Sequence, residues 1–321
     1  MINQLLLKNI QKYAADNDLV KIVKPICATL NSIVTPQINY GSKHNGEVDA
    51  LKKDGLLKLG EVLNKAQCGT IEQYFSDKTV STRKYGEIQK SEAKTKGLKF
   101  CNYNEMSVYM NDYFNVIACH PRIINIVSEY LGSLPTIQLL MCRWTLAQDN
   151  KPERSQYFHH DYHGIKFVKL FVYLSDVVDD DTAHVFVKKS QNEAYCNQRL
   201  KKYYQENPQD KETIRQWLLK KELRGEHELK DDVIYKLFER SQIELVKGGK
   251  GFAFLEDTSG MHKGNVPSKD RLFFSVIYTL CDSYKDRKPN QKYPHILSLI
   301  KENYRHIYTD EQIKYMYRLI L

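Results

Sequence analysis

The chain has 321 residues, with 48 Lys and Arg against 39 Asp and Glu, giving a formal charge of +9; this is enough for one large domain or two small ones, and no Pro/Gly/Ser-rich linker divides it. No apolar run is long enough to span a bilayer, and Met1 to Lys8 lacks the basic leader and long apolar core of a signal peptide, so a cytoplasmic protein without a membrane span is expected. The seven cysteines are odd in number and form no CxxC pair, which disfavours a disulfide framework and a zinc site.

Residues 1 to about 75 read as helices, with Leu5, Leu6 and Ile10 on one apolar stripe. Arg83 to Lys99 is polar, lysine-rich and broken by Gly, so it reads as a mobile loop or lid. Its charges are not interleaved with aromatics on a groove-fitting element, and no nucleic-acid partner is expected. Thr136 to Leu146 and Lys166 to Asp176 read as strands, the second rich in β-branched and aromatic residues. Between Gln191 and Gln242 the pattern turns helical, with Ile214, Trp217 and Leu218 on one stripe and Val233, Leu237 and Phe238 on another. Tyr203, Tyr204 and Trp217 in this insertion either pack or touch substrate. Gly248 to Gly251 lacks the Lys-Ser/Thr ending and following helix of a phosphate loop, so it reads as a tight turn between Ile243–Val246 and Phe252–Leu255. Near the end, Thr309-Asp-Glu-Gln312 is a capping-box pattern ahead of Ile313, Met316, Tyr317 and Ile320.

The residues that carry chemistry are His159 and Asp161, two apart, then His262, then Arg271 nine positions on. Two neutral imidazoles and one carboxylate can take one face of an octahedral Fe(II), leaving three positions for a chelating cosubstrate and O2. Residues two apart on an extended chain point the same way, so His159 and Asp161 can share one ion while His160 turns outward. Arg271 opens the strand Leu272 to Leu280 next to His262, and its planar cation suits a bidentate grip on the far carboxylate of 2-oxoglutarate. On the strand from Lys166, alternation sets Val168, Leu170, Val172 and Leu174 under helices and turns Lys169, Phe171 and Tyr173 inward. Lys169 is then a candidate for a cosubstrate carboxylate, its alternative being to snorkel to solvent, and Phe171 is a candidate wall of that pocket. His160 and His163 read as groups behind the ligands or facing substrate, and His184 as structural. Gln156 and Arg143 are candidates for polar pocket contacts.

Phe158-His-His-Asp-Tyr-His163, the Lys166 to Asp176 strand with the acidic run Asp179–Asp181, and Phe254 to Gly264 through Arg271 together resemble the phytanoyl-CoA dioxygenase family of iron(II)- and 2-oxoglutarate-dependent oxygenases. His120 to Gly132 resembles the family's helix leading into the barrel, and Asp54 to Gly60 its N-terminal segment. The resemblance spans roughly residues 50 to 282. Where many relatives carry Gly-Pro-His and Gly-Ser-His, this chain has Thr182-Ala-His184 and Lys189-Ser-Gln191, which alters the loop shaping the pocket but removes no ligand. Asp161 is retained, unlike in halogenating relatives, where a small residue leaves room for halide.

The resemblance implies a mainly β core with α embellishments, a cupin-like jelly roll or double-stranded β-helix, built as a single domain over 1–321. Residues 1–135 are expected to be mainly helical, 136–282 to form the barrel with a helical insertion at 191–242, and 283–321 to be a helical tail packed on the barrel or on another subunit. The implied activity is hydroxylation of an unactivated C–H bond of a small, anionic or sugar-linked molecule, with Fe(II), 2-oxoglutarate and O2 consumed to give succinate and CO2. Its alternatives are desaturation, epimerisation or cyclisation with the same cofactors, and a silent binding module on the same fold.

Overall fold

The computed structural model describes residues 45–148, 151–210, 231–280 and 292–321. The stripes at Leu5, Leu6 and Ile10 and at Ile214, Trp217 and Leu218 lie outside them. Among the described residues no helix is long and apolar enough to cross a membrane.

Strands β1 (Leu56–Glu61), β2 (Val80–Thr82), β3 (Gly86–Ile88), β4 (Phe100–Tyr103), β5 (Thr136–Thr145), β6 (Phe167–Tyr173), β9 (Phe252–Glu256) and β11 (Arg271–Thr279) form one antiparallel sheet in the order β1-β9-β6-β11-β5-β4-β2-β3. Strands β7 (His184–Val187), β8 (Ile243–Val246) and β10 (His262–Gly264) form a second sheet, ordered β10-β7-β8. The two sheets face each other across Leu56, Tyr173, Val177, Ala183, Phe186, Val246 and Phe254, with Phe171 and Phe273 against this cluster. This is the jelly-roll architecture expected from the sequence.

Period-two alternation sorts the faces of the large sheet as expected. Val168, Leu170, Val172, Leu272, Phe274, Val276, Ala253 and Leu255 all point away from the barrel into one apolar core with the helices. That core includes Ile123, Ile126, Val127 and Leu131 of a helix over Pro121–Leu131, which starts with Pro at its first turn and ends at Gly132 with φ 88, a conformation that favours glycine. The tail helix Asp310–Met316 begins with the expected capping box, Thr309 accepting from the Gln312 backbone and Gln312 from that of Thr309. Tail and core are locked at the C-terminal end of the helix Asp112–Ala118. The hydroxyls of Tyr317, Tyr304, Tyr278 and Tyr308 donate to the carbonyls of Asn115, Val116, Ala118 and Cys119 respectively.

Two sequence expectations need correction. The stretch to about residue 75 is not helical throughout where described: helices predominate over 45–135, but the apolar run from Leu56 is a strand at the edge of the large sheet, paired with β9. Its side chains divide between two cores, Leu56 inside the barrel and Leu59 outside it, a split that sequence neighbours alone do not reveal. The segment Arg83 to Lys99 is ordered as β3 and a helix over Lys90–Thr95 rather than a loop. Its lysines do not repel: Lys90 and Lys94 both pair with Asp270, at 2.8 and 2.9 Å, Lys90 lies 3.6 Å from the centre of the Trp144 ring, and Ala93 is buried beneath them. In the described part of the insertion, the helices Glu193–Glu206 and Asp231–Leu237, with Phe238 just beyond, pack Leu200, Tyr203, Ile234, Leu237 and Phe238 against Phe158, Val185, Val187 and Met261, on the outer side of the small sheet, so Tyr203 is packing.

The turn at Gly248–Gly251 carries the chain from the small sheet to the large one. Gly251 has φ 87, donates to the Tyr173 carbonyl at 2.7 Å, and sits so close to Leu63 that a Cβ there would lie 1.9 Å from its carbonyl oxygen. Backbone approach, not phosphate binding, explains the glycines.

Candidate metal centre

His159 and Asp161 do not lie in a continuous strand. The chain runs extended beside β10 and touches it through one bridge, His159 exchanging backbone hydrogen bonds with His262 at 2.9 Å each way, while the Asp161 amide donates to the Thr258 carbonyl at 2.7 Å. This pinning keeps the two-residue parity, so both side chains turn into the barrel beside His262. One ligand atom from each of His159, Asp161 and His262 falls within 4.8 Å of the others, the only such His/Cys/Asp/Glu group among the described residues.

The imidazoles are prepared to bind a cation. His159 Nδ1 lies 2.9 Å from the Tyr157 carbonyl and His262 Nδ1 lies 3.0 Å from that of Gly260. A carbonyl only accepts, so each Nδ1 carries its proton and each Nε2 lone pair is left for metal. Phe158 and Met261, the residues just before the two ligands, are packed under the insertion helices, and Lys263 just after pairs with Asp231 at 2.6 Å. The insertion therefore braces the ligand-bearing segments from outside.

Burial, then the neighbouring His262, pushes His159 down to about 3. Burial alone would raise the Asp161 carboxyl, but Lys169 and His262 beside it hold it well below the usual carboxylate range. His262 Nε2 lies 3.3 Å from Asp161 Oδ2, and against the effect of burial this carboxylate raises the imidazole above its ordinary value. A proton shared between these two groups would compete with a metal ion for the same place, so metal binding favours the deprotonated Nε2.

Lys169 does face inward, as alternation requires, and its ammonium donates to Asp161 Oδ2 at 2.6 Å. A partner cation on a ligand carboxylate competes with metal. Lys169→Met should therefore lower the melting temperature of the metal-free protein, at about 2–4 °C per kcal/mol lost, yet enlarge the rise on adding Mn(II) relative to wild type. Differential scanning fluorimetry with and without the ion checks this; an unchanged metal-induced rise would show that the ion pair and the metal do not compete.

Arg271 is buried, with Nη1 donating to the Thr182 carbonyl and Nη2 against Gly264, where a Cβ would approach within 2.6 Å. Its Nε is enclosed with no hydrogen-bond partner, and no carboxylate among the described residues pairs with the guanidinium. Burial lowers its affinity for the proton from the ordinary value. A desolvated, unpaired cation inside the barrel fits a ligand carboxylate. Phe171 stacks on Phe254 at 5.0 Å and contacts Phe273 and the His184 ring, forming an aromatic wall inside the barrel.

The remaining candidates divide. His163 lies near the centre, its Nε2 enclosed without a partner and its imidazole pushed down to about 3 by burial and then by Lys169. His160 is half-buried. Gln156 accepts from the Glu153 amide in a capping box, so it braces a turn. Arg143 on β5 holds Asn102 at 2.8 Å. Sequence reading passed over Glu256, fully buried on β9, whose carboxylate meets His184 Nε2 at 2.8 Å. The available signal was its inward parity with Phe252 and Phe254, six residues before His262. Burial pushes Glu256 up to about 8, and burial, with His262 and Arg271, drives His184 well below its usual value.

No family model and no curated protein matches the chain. Among solved structures, the fold is similar to that of HygX from Streptomyces hygroscopicus with nickel and 2-oxoglutarate bound, at TM-score 0.50 and 14% identity over 79% of this chain and 94% of that one. EctD from S. alaskensis with 2-oxoglutarate and 5-hydroxyectoine reaches 0.48 at 13% identity, over 80% of this chain and 82% of that one. The epimerase SnoN, in complex with Fe3+, alpha ketoglutarate and nogalamycin RO, reaches 0.45 at 14% identity, over 74% and 82%. The HygX likeness supports the shared fold; the two lower scores add nothing to it.

Proposed function

We propose that the protein is an Fe(II)- and 2-oxoglutarate-dependent oxygenase that hydroxylates a C–H bond of a small molecule, within or close to the phytanoyl-CoA dioxygenase family. The observation that carries this is the pairing of two elements in one barrel: a buried His-Asp-His triad with both imidazoles set to offer Nε2, and a buried arginine with no protein carboxylate. HygX, on the same fold, binds nickel and 2-oxoglutarate. The metal, when bound, supplies the O2 chemistry that turns R–H, O2 and 2-oxoglutarate into R–OH, succinate and CO2.

The chain's own residues supply binding and order. His159, Asp161 and His262 would hold the ion, each through one ligand atom. The Tyr157 and Gly260 carbonyls fix the imidazole planes, while Arg271 takes the far carboxylate of 2-oxoglutarate and Phe171 walls its chain. Lys169 keeps the Asp161 carboxylate ionised, the form in which it would hold the metal. The aromatic lining excludes water and orients the target carbon. The net charge of +9 suits an anionic substrate, sugar-linked or otherwise.

The test is an anaerobic titration of the purified protein with Fe(II) and 2-oxoglutarate, read by the weak visible charge-transfer band of the chelated cosubstrate. Wild type is expected to develop the band and His262→Ala to lack it. Iron bound by wild type with no band would overturn the 2-oxoglutarate reading. With a substrate in hand, a product heavier by one oxygen marks hydroxylation rather than desaturation or epimerisation.

A further inference from the structure

We propose that His184, held in place by Glu256, is a further binding residue for the cosubstrate, standing between the metal ligand His262 and the carboxylate anchor Arg271. This rests on the oxygenase reading above. Along β10 the inward positions are His262 and then Gly264, and the register with β7 sets Phe186 opposite the first and His184 opposite the second. Gly264 is also the residue against which Arg271 Nη2 rests. The His184 ring lies 5.7 Å from the His262 ring, centre to centre, so a molecule reaching from metal to guanidinium passes it.

The ring is held from three sides. Glu256 meets Nε2 with both oxygens, at 2.8 and 3.1 Å, and reaches across the barrel to do so, from the large sheet to the small one. Phe171 and Phe254 pack against the imidazole with centres at 5.3 and 5.5 Å. Glu256 has no exposure, whereas the His184 side chain retains 11%, so the imidazole is the part of the pair that a ligand can reach. With Nε2 taken by Glu256, Nδ1 is its remaining polar atom. A pair serving only to tie the sheets needs no exposed imidazole and no place on the path from His262 to Arg271. Glu256 is then a positioning residue acting through His184, and both work beside the aromatic wall.

The experiment is calorimetric titration of 2-oxoglutarate, under anaerobic conditions, into Mn(II)-loaded wild type, His184→Phe and Glu256→Gln, with the Mn(II) affinity of each measured separately. Phe fills the same slot between Phe171 and Phe254 without a polar atom. His184→Phe is expected to raise the 2-oxoglutarate Kd about tenfold, the worth of one good hydrogen bond, and to leave Mn(II) affinity unchanged within about twofold. Glu256→Gln, which retains a partner for Nε2, is expected to raise it less. A 2-oxoglutarate Kd within about twofold of wild type in His184→Phe would overturn the proposal, since a sheet-tying pair moves stability and not this constant. If His184→Phe fails to fold, His184→Gln decides by the same two constants. Wild type that binds Mn(II) but no 2-oxoglutarate would bring down the oxygenase reading itself, a result distinct from equal binding by wild type and variant.

Discussion

Asp161→Ala is expected to abolish metal binding by more than the loss of one ligand explains. Removing a partner behind a metal ligand already costs about 10–100-fold in affinity, so losing the carboxylate that supplies the site's negative charge should cost more than about 100-fold. The structure adds a second penalty. Lys169, 13% exposed at its side chain, has its ammonium on Asp161 Oδ2; without that carboxylate it stands as an uncompensated cation beside His159 and His262. An incoming divalent ion would meet repulsion where it formerly met attraction. The double variant Asp161→Ala with Lys169→Met should therefore bind metal more tightly than Asp161→Ala alone, a non-additivity expected of residues in contact. Equilibrium dialysis with Mn(II) measures all three. Mn(II) binding by Asp161→Ala within about tenfold of wild type would show that the carboxylate is not a ligand.

The candidate metal triad was readable in the sequence because much of its geometry is local. His159 and Asp161 owe their common direction to the parity of an extended chain, His262 opens the short β10, and Arg271 opens β11, a strand rich in β-branched and aromatic residues. The inward and outward faces of β6 were readable for the same reason: Val168, Leu170 and Val172 on one side and Lys169 and Phe171 on the other. What escaped depended on partners far along the chain. Leu56 to Glu61 is a strand because β9, nearly two hundred residues later, offers it an edge. The lysines from Lys90 to Lys94 are ordered by Asp270, and Glu256 takes its meaning from His184, 72 residues before it. The position of the insertion was equally hidden. Its apolar residues show that it packs, but only the contacts of its described helices with Phe158 and Met261 reveal that they pack behind the candidate metal ligands.

Arg271→Met is expected to weaken 2-oxoglutarate binding about 100-fold while leaving metal affinity intact, and the reason lies in what Arg271 lacks. A buried guanidinium that donates to one carbonyl, has an enclosed Nε with no partner and has no protein carboxylate beside it is costly to maintain in the folded chain. Gly264 is small where a side chain would strike Nη2, so the local packing leaves room for the cation instead of excluding it. A ligand carboxylate offsets that cost, and truncating one partner of such a buried pair typically loses 2–5 kcal/mol, of which about 2.7 corresponds to 100-fold. The effect should depend on ligand chemistry. Pyruvate, an α-keto acid without a far carboxylate, should bind the metal-loaded wild type and Arg271→Met with similar weak affinity, whereas 2-oxoglutarate should lose its advantage in the variant. Met keeps an unbranched chain of similar reach, and removing an unpaired buried charge should raise rather than lower the melting temperature of the ligand-free protein. A variant that is more stable yet blind to the far carboxylate would identify Arg271 as a residue kept for binding at the expense of stability. Equal loss for pyruvate and 2-oxoglutarate would instead assign it a structural part in holding β10 and the Thr182 turn together.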